Sequence, residues 1–215
     1  MAVNFDIMSP FRTISALVGL SALIGLGGCA SQSLSSHGDW FEEREARMPI
    51  GNKIYVCHAF TCARTTPVVL SEAEFGRISA PFKAKITTPA EERAAVSDAV
   101  QIFERIIGKR IGTSNDRGGL DIGGGDPSQM DCIDEATNTT SLLLMLAEKD
   151  VLKLHEIARP VARGFFLDGR YPHATAVLRE KGSKRSWAID SWQTANAEPP
   201  VIQDLDVWIV TRGSL

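Results

Sequence analysis

Residues 132–150, CIDEATNTTSLLLMLAEKD, read as a buried helix, with Ile133, Ala136, Leu143, Leu144 and Ala147 among its apolar positions. Just upstream, Ser128 and Asp131 are both candidates for the N-terminal cap, which puts Cys132 in the first turn. A free cysteine is most often a small buried space-filler. At a helix start, however, it meets main-chain N–H groups without helical partners and the positive end of the dipole. Both favour thiolate over thiol. Cys132 is therefore a candidate nucleophile, and a nucleophile needs a base and a group to orient that base.

Upstream, Thr88 is a candidate cap, Pro89 takes the first helical position and Glu91 and Glu92 fall in the first turn. Val96, Val100, Phe103, Ile106 and Ile107 then recur at three- and four-residue intervals, and Gly108 permits termination. Residues 112–129, GTSNDRGGLDIGGGDPSQ, form a long glycine-rich connection of the kind more often functional than accidental. Its acidic residues Asp116, Asp121 and Asp126 lack the spacing of a calcium loop and read as solvated. Earlier, KIYVCHAF and TPVVL read as short strands, and Ser71 starts a helix that Pro81 ends.

Downstream, VLKLHEIA reads as a short helix and VARGFFL as a strand. HATAVLREKGSKRSWAIDSW is a hairpin turning around residues 181–184, and VIQDLDVWIV adds a last strand or irregular segment. Helices first and antiparallel strands afterwards make an α+β arrangement. In the hairpin, an even loop puts His173 and Asp190 on one face. They lie directly opposite when the loop is Lys181–Gly182, and diagonally, about 7 Å apart, when it centres on Gly182 and Ser183. His173 is then a candidate base and Asp190 its orienting group. His37 lies in a polar tether, His58 in CHAFTC, and His155 in a charged helical segment where it reads as solvated. Trp187 and Trp192 are cleft-lining candidates, although hairpin aromatics usually pack the core.

Cysteine on a helix start, PHATAVL and then WAIDSW resemble the transglutaminase-like cysteine protease superfamily, particularly its bacterial branch. MDCIDEA is similar to that branch's glycine-aspartate-cysteine-glutamate-aspartate core, with Met130 in place of glycine and Ile133 in place of the acidic residue. The resemblance implies a papain/transglutaminase-like α+β fold, with N-terminal helices and the nucleophile helix packed on an antiparallel sheet. It further implies acyl transfer through a thioester by Cys132, His173 and Asp190 on peptide or protein amides. The Cys132 N–H would hold the oxyanion, with the Gln129 side chain as a second candidate donor whose alternative is an ordinary loop glutamine. A catalytically inactive module for binding or envelope assembly is the alternative.

Residues 13–28, TISALVGLSALIGLGG, form an uncharged apolar run preceded by Arg12, suited to an export signal rather than a membrane span. The following LGGCAS resembles the lipobox of bacterial lipoproteins. That resemblance implies a signal peptide over 1–28, lipid on Cys29 and, with Ala30 and Ser31 following, the outer membrane facing the periplasm. ASQSLSSHG makes 29–38 a flexible tether, leaving 39–215 as one domain. If Cys29 carries lipid, three cysteines remain in an oxidising compartment. Cys57 and Cys62 are close enough to pair, and a disulfide or two unpaired thiols is preferred to a metal site with His58. No cofactor or metal is expected. The formal charge is −3 and no basic block occurs, so nucleic acid is an unexpected partner.

Overall fold

Reciprocal bonds at Thr88 open the longest helix: the Glu91 N–H donates to the Thr88 hydroxyl at 3.2 Å, and the Thr88 N–H to the Glu91 carboxylate at 2.9 Å. The computed structural model of the chain describes residues 37–120, 122–164 and 172–211. In chain order it contains α1 (His37–Glu42), β1 (Lys53–His58), β2 (Arg64–Val69), α2 (Glu72–Ile78), a 3₁₀ turn (Ala80–Lys83) and α3 (Pro89–Ile111). After these come α4 (Cys132–Glu148), β3 (His155–Arg163), β4 (His173–Glu180), β5 (Ser186–Asp190), β6 (Val201–Asp204) and α5 (Leu205–Val210).

The helix α3 runs through Gly108, where termination was expected, and ends at Gly112, whose φ of 89° lies in the left-handed region. Gly108 is instead a packing glycine. A Cβ there would sit 3.1 Å from the Ser114 backbone and 3.1 Å from Asn196 Oδ1, so the turn after α3 approaches the helix only over a bare Cα.

Thirteen of the 17 residues of α4 are buried, which makes it the central element rather than a surface helix. Most of its polar residues are satisfied locally or by neighbours, Ser141 Oγ being buried without a partner. Thr137 and Thr140 donate back to the carbonyls of Ile133 and Ala136, at 2.7 and 2.6 Å. Asn138 exchanges two 2.8 Å bonds with the backbone N–H and C=O of Cys57, as a neighbouring strand would. This fastens α4 to the two-stranded β1–β2 hairpin.

On its other side α4 packs against the sheet β3-β4-β5-β6, antiparallel throughout. Val100, Phe103 and Ile107 of α3, Leu142, Leu143 and Leu146 of α4, and Leu178 and Ile189 of the sheet share one apolar core with Ile54 and Val56. The architecture is α+β, helices against a four-stranded antiparallel sheet.

Three expectations need correction. Residues 155–158, expected in a short helix, lie in β3. His155, expected to be solvated, is buried, with Nδ1 2.7 Å from the Glu92 carboxylate. Glu92 also accepts the N–H groups of Lys153, at 2.6 Å, and Leu154, at 3.0 Å. This carboxylate, distant in sequence, holds the chain extended where local propensity favours helix. Finally, His37 and Gly38, expected in the tether, lie in α1. The expected signal, Cys29 and nearly all of the tether lie outside the described residues, as do Asp121 and the FFL of VARGFFL. Among the described residues no helix is long and apolar enough to cross a membrane.

Burial works to raise the Glu92 pKa, but the His155 ring and the two N–H donors outweigh it and hold the carboxyl below its ordinary 4.5. A depressed folded pKa contributes stability above the unfolded value and loses it as pH falls through the folded one. Glu92→Gln is expected to destabilise the fold by about 2 kcal/mol at pH 7 in urea unfolding, with the gap from wild type narrowing at pH 3. An equal gap at both pH values would show that the charge contributes nothing.

Candidate active site

Asp131 caps α4 by accepting the N–H groups of Ile133, at 3.1 Å, and Asp134, at 2.9 Å, and the Asp134 carboxylate reaches back to the Asp131 N–H. Cys132 is thereby the first helical residue and, among the described residues, the free cysteine. It packs with Trp40, Phe41, Ala136 and Ala174, and Trp192 lies against the same cluster. The Ala174 N–H faces the sulfur and stabilises its thiolate form, but burial and the Asp131 carboxylate outweigh it and push the thiol up to about 12. This corrects the expectation that the helix start favours thiolate. The caps that satisfy the N–H groups are themselves acidic, and the resting group is a neutral thiol.

The hairpin pairs Ala176 with Ile189, Leu178 with Trp187 and Arg179 with Ser186. This register centres the turn on Gly182 and Ser183, the diagonal case, and His173 Nε2 lies 2.6 Å from Asp190 Oδ2. That oxygen also accepts from Trp208 Nε1 at 2.7 Å and from Gln193 Nε2 at 2.5 Å. An indole N–H only donates, so a carboxylate oxygen already ringed by donors fixes the imidazole proton on Nε2. Nδ1, buried and without a hydrogen-bond partner, then carries the lone pair. The ring is held between Trp192 and Trp208, with centroids 4.7 and 5.3 Å away.

The start of α4 lies against the start of β4: Cys132 packs on Ala174, the residue after His173, whose N–H faces the thiol. No hydrogen bond joins the sulfur to the imidazole. Gln129 does not aim at an oxyanion. Its amide nitrogen donates to the carbonyls of Asn115 and Ser128, at 3.1 and 3.2 Å, and its oxygen accepts the Arg117 N–H, so it braces the glycine-rich loop. Trp187 stands away from the site, donating to Glu180 at 2.9 Å beneath the Arg93 guanidinium.

Trp208 and Gln193 were not anticipated. Gln193 follows Asp190 by three residues, a weak local signal, whereas Trp208 arrives on a separate helix with no local signal. The glycine-rich loop lies directly on this corner. A Cβ on Gly118 would sit 2.5 Å from the Thr194 backbone, Gly119 N–H donates to the Trp192 carbonyl at 2.6 Å, and the Trp192 indole donates to Leu120 O. Asp116, expected to be solvated, is buried, accepts the Met130 N–H at 2.7 Å and is raised to about 7 by that burial.

Against the start of α4, Cys57 and Cys62 are joined in a disulfide. The enclosed Ala59, Phe60 and Thr61, with Cys62 itself, have φ of 69°, 71°, 55° and 57°. Four consecutive left-handed residues without a glycine cost roughly 1–2 kcal/mol each. Their N–H groups converge on the start of α4: Phe60 and Cys62 donate to Asp134, at 2.8 and 2.6 Å, and Thr61 to Asp131 at 3.0 Å. Burial and the Asp131 charge raise Asp134 to about 7 against these bonds. His58 takes no part, bonding Pro127 O and Thr66 Oγ1. The third metal-type donor near the two sulfurs is Asp134, but sulfurs bonded to each other are not thiolate ligands.

No family model, curated protein or solved structure matches the chain.

A thiol raised to about 12 has on the order of 10³-fold less thiolate at pH 8 than an unfolded cysteine. Iodoacetamide is expected to alkylate native Cys132 more slowly than the urea-unfolded chain by about that factor, read by peptide mass spectrometry. Equal rates in the two states would contradict the buried neutral thiol.

Proposed function

We propose that the chain is a thiol hydrolase or acyltransferase of the papain/transglutaminase type, acting on amide bonds of peptides or proteins, with Cys132 as nucleophile, His173 as base and Asp190 as orienting group. The observation that supports it is the imidazole: Nε2 is committed to Asp190, and Nδ1 is left buried and unpartnered beside the start of α4. His58 and His155 use both ring nitrogens, and although His37 Nδ1 is also buried without a partner, it is His173 whose other nitrogen is held by a buried carboxylate and whose strand packs against Cys132. The order of elements, a nucleophile helix laid on an antiparallel sheet, agrees with that fold type.

In this reading the thiol proton passes to His173 Nδ1 as the sulfur attacks the carbonyl carbon, so that the neutral resting thiol is activated only with substrate in place. Oxyanion charge falls near the Cys132 N–H, in the first turn where amides lack helical partners. Collapse breaks the C–N bond, the Nδ1 proton leaves with the amine, and a thioester remains. Water or a second amine then attacks the thioester, giving up a proton to Nδ1 that returns to the sulfur as the acyl group departs.

The envelope setting belongs to the same proposal: signal 1–28, lipid on Cys29 and an outer-membrane anchor facing the periplasm. The Cys57–Cys62 disulfide supports an oxidising compartment. The second reading, an inactive binding or assembly module, is favoured by the buried thiol that makes no bond to His173.

Acyl-enzyme trapping on a peptide library separates the two. Wild type is expected to gain the mass of an acyl group after acid quench, Cys132→Ala none, and His173→Ala at a rate reduced on the order of 10²–10⁴-fold. The absence of an adduct on wild type across the library would leave the module reading.

A further inference from the structure

The loop between β1 and β2 is built in a conformation its own residues resist. His58 pairs with Arg64, so residues 59–63 make the connection, and four of the residues from 59 to 63 are left-handed without a glycine among them. Two things oppose their relaxation: the Cys57–Cys62 bond across the loop and the three N–H bonds to Asp131 and Asp134. Those two carboxylates are the cap and the third residue of the helix that begins at Cys132. Ala59 also donates to Gln129 O, at 3.0 Å, and accepts the Gly125 N–H, at 3.2 Å, so the loop holds both the helix start and the segment leading into it.

We propose that the Cys57–Cys62 disulfide is a redox-sensitive positioning clamp for Cys132. It holds residues 59–62 left-handed so that their N–H groups fix the first turn of α4 against β4. A dithiol reductant supplies two electrons, breaks the S–S bond to give two protein thiols, and leaves as its own disulfide. The loop then turns to right-handed backbone, its N–H groups leave Asp131 and Asp134, and the start of α4 loosens around Cys132. Cys62 is half-buried and Thr61 and Ala63 are exposed, so the bond is approached from solvent. As regulation of catalysis this rests on the proposed function, whereas the clamp itself does not.

The test is peptide-resolved iodoacetamide labelling of Cys132 in the full chain at pH 8, with far-UV circular dichroism to follow the fold. Cys57→Ser/Cys62→Ser is expected to label on the order of tenfold faster than oxidised wild type, as does wild type reduced by a phosphine. Adding Ala59→Gly, Phe60→Gly and Thr61→Gly to the double-serine chain removes the left-handed penalty at three of the four positions, and the slow rate is expected to return.

An unchanged rate in a folded double-serine chain overturns the clamp. So does failure of the glycine loop to restore the slow rate, because the bond then acts as a general cross-link. If the double-serine chain does not fold, refolding on adding the glycines supports the proposal and continued unfolding overturns it. Labelling needs no turnover. A chain inert towards amides that shows these shifts keeps the clamp and loses the enzyme, and an active chain whose labelling is unmoved does the reverse.

Discussion

A helix buried nearly all round must satisfy its first-turn N–H groups without water, and the rest of this molecule is arranged around how α4 does so. Asp131 and Asp134 face two ways, accepting amides of their own helix and amides of the 59–62 loop. The two carboxylates make one joint between the β1–β2 hairpin and the central helix, and Asn138 makes a second, two turns along. With the helix anchored from that side, its opposite face settles on β4, and Cys132 reaches Ala174.

The acidity of this joint sets the chemistry beside it. Glu135, one residue further along α4, is fully buried and held well above its ordinary pKa by burial and by Glu104 and Asp116, while Ser191 donates to it at 2.8 Å. Glu104 is raised to about 8 by burial, with Asp116 adding to it. Around the start of α4 the fold therefore gathers carboxyl groups that resist ionisation, and a thiolate added among them meets the same opposition. Such a neighbourhood suits a group that gives up its proton in the reacting complex rather than at rest.

Elements governed by local rules were legible in the residues. The caps of α3 and α4, their apolar spacing and the even turn of the β4–β5 hairpin all act within a few residues, and His173 and Asp190 came together because parity alone constrains a two-stranded ribbon. What escaped was set at long range. Glu92 made a strand of a segment that reads as helix, Gly108 served a close approach of Asn196 and Ser114 inside α3 rather than its end, and Trp208 came to Asp190 from beyond β6. The left-handed loop was hidden for another reason. Without glycine or asparagine at 59–62, nothing in the letters indicates a positive φ, and only carboxylates far along the chain make it tenable.

In chain order both members of the disulfide precede Cys132, and all three precede the strand that shields Cys132. A sequence separation of 5 lets Cys57 and Cys62 find each other at a smaller loss of chain entropy than the far longer spans that either would close with Cys132. Pairing of Cys57 with Cys62 removes both of these thiols from competition for Cys132, whose sulfur stays reduced in the folded chain.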